Sequence, residues 1–277
     1  MRAKRRGLRW LLLLAAFAFA TALRAEEGRE VVDLSPRGEV TLRLLLLKPP
    51  SPPVASVILF TGGDGRVGIG DAGEVRIGGN FLIRTRDLWV REGLLTAVVD
   101  APSDHQGSQG LGAFRLYEAH ARDIAHVVAF VRARAVAPVW LVGTSRGTLS
   151  VVNAGVRLGA DGADGADGLV LTSSILRGFK NRDGFVADDV VDVDLAAIRK
   201  PVLIAHHRED GCPSTQFADV AVLQAKLVNA PTVGILAYEG GLVPVGDRCE
   251  ARSRHGYYGL EQRVVRDIAA WITGRRP

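Results

Sequence analysis

Residues 138–147 read Pro138-Val139-Trp140-Leu141-Val142-Gly143-Thr144-Ser145-Arg146-Gly147. Four apolar residues in a row, opened by a proline, have the length and content of a strand buried on both faces. Gly143-Thr144-Ser145-Arg146-Gly147 follows without a spacer, and Thr148 to Leu158 then read as a helix. The pattern G-x-S-x-G between a strand and a helix describes a sharp turn with its serine at the apex. The backbone at Ser145 is therefore expected to be strained, and the flanking glycines remove side chains that would strike the neighbouring strand and helix. Such a turn lifts the Ser145 hydroxyl above the sheet edge. It also places the next amide, Arg146 N–H, at a helix N-terminus, where it can stabilise developing negative charge. Ser173 and Ser174 also close an apolar run but lack flanking glycines, which makes them poorer rivals.

Towards the N-terminus, residues 29–48 read as two early strands. Val40, Leu42, Leu44 and Leu46 alternate with other residues until Pro49, Pro50, Pro52 and Pro53 end the run. Val54–Phe60, Leu94–Val99, Leu169–Thr172, Val202–Ala205 and Val233–Tyr238 are further short apolar runs. Longer segments between them carry a helical period. Ile124, Val127, Val128 and Val131 recur at i, i+3, i+4 and i+7, and Leu260, Val264, Ile268 and Ile272 share one face near the C-terminus. Strands alternating with amphipathic helices predict an α/β architecture, a mostly parallel doubly wound sheet of about eight strands with helices on both faces. A 277-residue chain that is 47% hydrophobic has enough apolar material for one large core. The expected organisation is a leader over residues 1–25 and one domain over 26–277. The triplet repeat from Gly159 to Gly168 reads as a slack connector. Leu176 to Lys200 has room for a small lid but not for a large cap domain.

The order of elements and the G-x-S-x-G turn make the chain similar to the α/β-hydrolase superfamily over roughly residues 30–273. That resemblance implies a nucleophile, acid and base in the chain order Ser, Asp or Glu, His. The acid position falls after the second strand beyond the serine turn, in His206-His207-Arg208-Glu209-Asp210-Gly211, which resembles the family's H-G-x-x-D with His207 replacing glycine. Asp210 takes the acid role, with Glu209 as the reserve. His255 lies between the last strand and the C-terminal helix and is the only histidine after that strand, so it takes the role of base. Thr61-Gly62-Gly63-Asp64-Gly65 resembles the family's H-G-G oxyanion loop with Thr61 in place of histidine. Gly63 N–H is the first candidate for the second oxyanion donor and Asp64 N–H the next, provided that the Asp64 carboxylate points away. His105, at the C-terminal end of a strand, is expected near the rim of the site. The resemblance implies a serine hydrolase acting on a small-molecule acyl substrate, most readily a carboxylic ester, through an acyl-enzyme on Ser145. An acyltransferase, a peptidase or a non-catalytic binding protein on the same fold are the alternatives.

Arg2, Lys4, Arg5, Arg6 and Arg9 precede an apolar run from Trp10 to Ala20, and Ala20-Thr21-Ala22 supplies a small-x-small cleavage pattern, with Ala25 as a second possible cut. These residues predict a signal peptide and export, to a periplasm or as a secreted protein, with no membrane span left after cleavage. Cleavage after Ala22 takes five basic and no acidic residues from a chain of formal charge +5, so the mature protein is near neutral. The sequence pI of about 9.5 is then no sign of a nucleic-acid partner. No cofactor is expected, and no histidine or cysteine spacing points to a metal. In an oxidising compartment the two cysteines, Cys212 and Cys249, are suited to a disulfide. In the hydrolase arrangement this would tie the acid loop to the histidine loop.

Overall fold

The computed structural model describes residues 28–158, 165–180, 186–187 and 189–275. The expected leader and residues 159–164 of the triplet repeat lie outside the described residues. In chain order the strands are β1 (Arg29–Arg37), β2 (Val40–Leu47), β3 (Ala55–Phe60), β4 (Leu94–Val99), β5 (Val139–Thr144), β6 (Gly168–Thr172), β7 (Phe179–Lys180), β8 (Val186–Ala187), β9 (Val202–His207) and β10 (Val233–Tyr238). The α-helices are α1 (Phe81–Arg84), α2 (Arg86–Arg91), α3 (Glu118–Arg134), α4 (Gly147–Leu158), α5 (Val220–Lys226) and α6 (Glu261–Ile272).

Eight strands form one sheet in the order β1-β2-β4-β3-β5-β6-β9-β10, and β7 and β8 form a separate two-residue ribbon. β1 and β2 pair antiparallel, as do β2 and β4, whereas β4, β3, β5, β6, β9 and β10 run parallel. The near-continuous apolar runs have a direct cause: every residue of β3, β4, β5, β6 and β9 is buried. Alternate side chains of one strand serve two cores. Ile58, Phe60, Val139 and Leu141 pack with Ile124, Val127, Val128 and Val131 of α3 and with Leu149 and Val152 of α4. Val57, Leu59, Trp140 and Val142 pack on the opposite face with Phe81, Leu82 and Trp89 and with Val264, Val265 and Ile268 of α6. Val190, Leu195 and Ile198 join the first of these cores. Residues 189–200 therefore fold back onto the domain.

α3 and α4 also share a polar contact. His120 is 4% exposed, and its Nε2 lies 2.9 Å from Ser150 Oγ. Burial, reinforced by the nearby Arg115 cation, pushes the imidazole down to about 3. Between that value and the ordinary histidine value of 6.5 the unfolded chain binds a proton that the folded chain refuses. Stability from this group is thus fully present above the ordinary value and declines as pH falls through the window. From about pH 7 to about pH 4.5 this one residue is expected to remove on the order of 2–3 kcal/mol. Chemical denaturation at both pH values should show the loss shrinking in His120→Gln. An equal loss in the variant would refute the assignment.

Candidate active site

The serine turn closes as its sequence demands. Ser145 has φ 53°, in the left-handed region that non-glycine residues rarely occupy. Its N–H donates to Thr172 O on β6 at 3.0 Å, and its carbonyl accepts from Thr148 N at 3.0 Å in the first turn of α4. Both flanking glycines are sterically required. A Cβ on Gly143 would lie 2.6 Å from Gly147 O, and one on Gly147 would lie 2.0 Å from Phe60 O. These neighbours are backbone atoms of a packed sheet and helix and have no room to yield. The outcome is a half-buried serine, reachable from solvent, at the C-terminal end of the central strand β5.

The loop after β3 lies directly beside it. A Cβ on Gly62 would come within 2.9 Å of Ser145 Cβ and 3.4 Å of Ser145 Oγ, so only glycine permits this approach. Asp64 turns its carboxylate to Arg66, which donates from its backbone N–H at 3.0 Å and from Nε at 2.9 Å. The loop is held from outside. Asp100, at the end of β4 and 5% exposed, accepts four backbone N–H groups: Val67 at 2.8 Å, Gly68 at 2.9 Å, Ile69 at 3.0 Å and its own neighbour Ala101 at 2.8 Å. Arg115, only 1% exposed, donates to the carbonyls of Thr61 at 3.0 Å and Gly63 at 3.4 Å and to Ser150 Oγ at 2.8 Å.

Asp210 and His255 meet although 45 residues separate them. His255 Nδ1 lies 3.0 Å from Asp210 Oδ2, and the carboxylate is fully buried. Asp210 has further donors in Cys212 N–H at 3.0 Å and Thr215 Oγ1 at 2.8 Å. Thr215 Oγ1 is also 3.1 Å from His255 Nδ1, so this buried hydroxyl bridges acid and imidazole. With Nδ1 occupied by Asp210 Oδ2 and Thr215 Oγ1, Nε2 is the ring nitrogen left for another partner. Among the described residues no hydrogen bond joins Ser145 Oγ to His255. Glu209 instead faces outward and lies 3.6 Å from Arg254 Nε.

Cys212 and Cys249 are bonded to each other, which fastens the acid loop to the segment leading into His255. The bridge closes a sequence separation of 37 residues, worth about 4 kcal/mol if loop-closure entropy alone is counted. Cys212→Ser combined with Cys249→Ser is expected to lower the thermal midpoint clearly. A melt indistinguishable from that of the parent protein would count against this.

Three contributors escape a reading of the sequence. Ser173, set aside above as a poorer rival, is fully buried with φ 42°, and its hydroxyl donates to His255 O at 2.8 Å. Tyr257, with φ 57°, donates its hydroxyl to Ala205 O at 2.7 Å and accepts from Ser173 N–H at 3.1 Å. Together these two fix the backbone that carries His255. Thr215 is the third. His206 supports it by donating from Nε2 to Thr215 O at 2.6 Å, while His207 Nε2 is 3.1 Å from Gly240 O. His105 stacks on Phe114 with ring centroids 3.9 Å apart, and its Nδ1 is 3.2 Å from Gly110 O, which gives the ring a packing role. Among the described residues no group of three or more His, Cys, Asp or Glu is placed to hold a metal, and no helix is long and apolar enough to cross a membrane.

No family model matches the chain, and no curated protein matches it by sequence. Solved structures do match. A dienelactone hydrolase from Anabaena variabilis superposes with a TM-score of 0.56 at 14% identity over 90% of this chain and 98% of that one. An esterase from Pyrococcus furiosus gives 0.62 at 11% identity, over 90% and 92%. A serine hydrolase without a lid from Xanthomonas campestris gives 0.56 at 15% identity, over 88% and 94%. The chain has the α/β-hydrolase fold, with the open sheet and helical layers of these structures.

Proposed function

We propose that this protein is an exported serine hydrolase that cleaves a carboxylic ester of a small molecule through an acyl-enzyme on Ser145. One observation carries the reading: a strained, accessible serine after β5 lies on the same edge of the sheet as a buried Asp210–His255 hydrogen bond supplied by the loops after β9 and β10. The esterase and hydrolase names of several structures with this fold agree with it.

In this reading His255 Nε2 takes the Ser145 proton as Oγ attacks the ester carbonyl. Asp210 holds Nδ1–H and stabilises the imidazolium. The oxyanion is met by Arg146 N–H and by an amide of the Gly63–Asp64 pair. The imidazolium then protonates the leaving alkoxide, and water deacylates the serine by the same route. The Asp64 carboxylate, paired with Arg66, does not compete for these donors. Export rests on the basic and apolar leader, and a bonded cysteine pair accords with an oxidising destination.

The test is a fluorophosphonate reaction with folded protein followed by peptide mapping, together with a panel of p-nitrophenyl esters of increasing acyl length. One phosphonyl group on the peptide containing Ser145 and turnover of at least the short esters are expected. Folded protein that neither labels nor turns over any ester would overturn the proposal.

A further inference from the structure

The family's oxyanion loop has a histidine where this chain has Thr61, so another group must set the orientation of the loop's peptide units. We propose that Arg115, 54 residues away in sequence from Thr61, is that positioning residue: it turns the peptide units 61–62 and 63–64 so that Asp64 N–H is presented as an oxyanion donor. The inference rests on the serine-hydrolase reading above and deepens it.

The geometry runs through two carbonyls. In a trans peptide the C=O and the next N–H point in opposite directions. Arg115 Nη2 binds Thr61 O and Gly63 O from one side, so the N–H groups of Gly62 and Asp64 face the other. Gly62 packs against Ser145, and Gly63 is exposed at φ 57°, so this stretch of backbone lines the approach to the nucleophile. Among the described residues neither Gly63 N–H nor Asp64 N–H donates to another group. The guanidinium is pinned in turn. Nη1 is tied to Ser150 Oγ, which also meets His120, and the chain around it is fixed by Leu111 N–H donating to Asp64 O at 2.8 Å. No carboxylate forms an ion pair with Arg115 among the described residues; its hydrogen-bonding partners are carbonyls and a hydroxyl. A buried cation costs desolvation energy unless it has a structural or functional return. Here the return is two peptide dipoles aligned behind the donors, and a positive charge one layer below the developing oxyanion.

A fork of several donors can hold two carbonyls at once, while an ammonium satisfies them less rigidly. Arg115→Met is expected to lower kcat about 100-fold with KM changed less than about threefold, the pattern of a lost transition-state contact. Arg115→Lys should recover part of kcat. The decisive readout is the ratio of kcat/KM for an ester to that for its thionoester. Sulfur accepts hydrogen bonds poorly, so a working oxyanion hole discriminates strongly against the thionoester and a misaligned one does not. The ratio should fall about tenfold or more in Arg115→Met and less in Arg115→Lys. It should stay constant in the surface variant Arg122→Ala.

If the Arg115 variants do not fold, Ser150→Ala, which frees Nη1 without adding bulk, should still lower the ratio about two- to threefold. Folded Arg115 variants with the parent ratio would overturn the proposal, as would an unchanged ratio in Ser150→Ala where the Arg115 variants cannot be made. An unmodified protein that neither labels with fluorophosphonate nor turns over the ester would overturn the hydrolase reading itself. Normal parent turnover with unaltered variant ratios removes only the role of Arg115.

Discussion

Ser145→Ala is expected to abolish fluorophosphonate labelling and to reduce ester turnover by about 10⁴-fold or more, with the fold unchanged. The serine is strained through its backbone, which the Phe60 carbonyl, Gly143, Gly147 and Thr172 hold in place. Alanine at φ 53° meets the same backbone constraint as serine. The variant loses the nucleophilic oxygen and no internal packing, so its stability should stay within about 1 kcal/mol of the parent. Intact-mass measurement after labelling and a thermal melt on the same sample separate the two effects. Labelling that persists at another residue of the variant would place the nucleophile elsewhere and remove the central claim. Ser173→Ala is not a neutral control for this experiment, because its hydroxyl holds the His255 backbone.

Asp210→Asn should cost about 10³- to 10⁴-fold in kcat while leaving labelling slow but detectable. The carboxylate accepts from three sides: Cys212 N–H on Oδ1, and the Thr215 hydroxyl and His255 Nδ1 on Oδ2. An asparagine must offer its one carbonyl to one of these positions and its NH₂ to the other. Placing NH₂ against Cys212 N–H sets donor against donor in a buried site. The stable orientation keeps the carbonyl on Cys212 and turns NH₂ towards His255. Nδ1 must then accept, which moves the ring proton to Nε2 and leaves the base unable to take the Ser145 proton. The pH dependence of kcat/KM and a ¹⁵N spectrum of the histidine ring read the tautomer directly. An Asp210→Asn protein within tenfold of the parent kcat would show that His255 does not depend on this acid, and Glu209 would need to be tested in its place.

The serine turn was legible because every requirement of it is local: an apolar strand, two glycines and a helix start lie within about twenty residues of one another. The eight-stranded sheet was legible because burial on both faces leaves unbroken apolar runs. Asp210 and His255 are singled out in the sequence only through the resemblance, by its chain order and by the H-G-x-x-D pattern of the acid loop, since no physical property of that loop separates Asp210 from its neighbour Glu209. The separation lies in direction: Asp210 is turned inward onto Thr215 and Cys212, while Glu209 meets Arg254 at the surface. The supports were not legible at all. Ser173, Tyr257, Thr215, Asp100 and Arg115 act through contacts that span from 1 to 84 residues, and most of them end on a backbone atom that carries no sequence signal. A buried arginine reads in sequence like any arginine on an amphipathic stretch.

The brace that Asp100 provides has a meaning for protein engineering. It grips main-chain N–H groups, which every residue except proline possesses, and so it does not depend on which side chains the gripped loop carries. Beyond that grip, Asp71, Ala72, Glu74, Arg76 and Ile77 are exposed. A library that randomises Ala72, Glu74, Arg76 and Ile77 to residues other than proline, while retaining Asp71, Asp100, Arg115 and Gly62, would vary the outer wall of the loop and keep the bond from Arg43 to Asp71 and the main-chain bonds from Arg76 and Ile77 to Gly68 O and Val67 O. The architecture thus separates a main chain that must be kept from exposed side chains that can be rewritten.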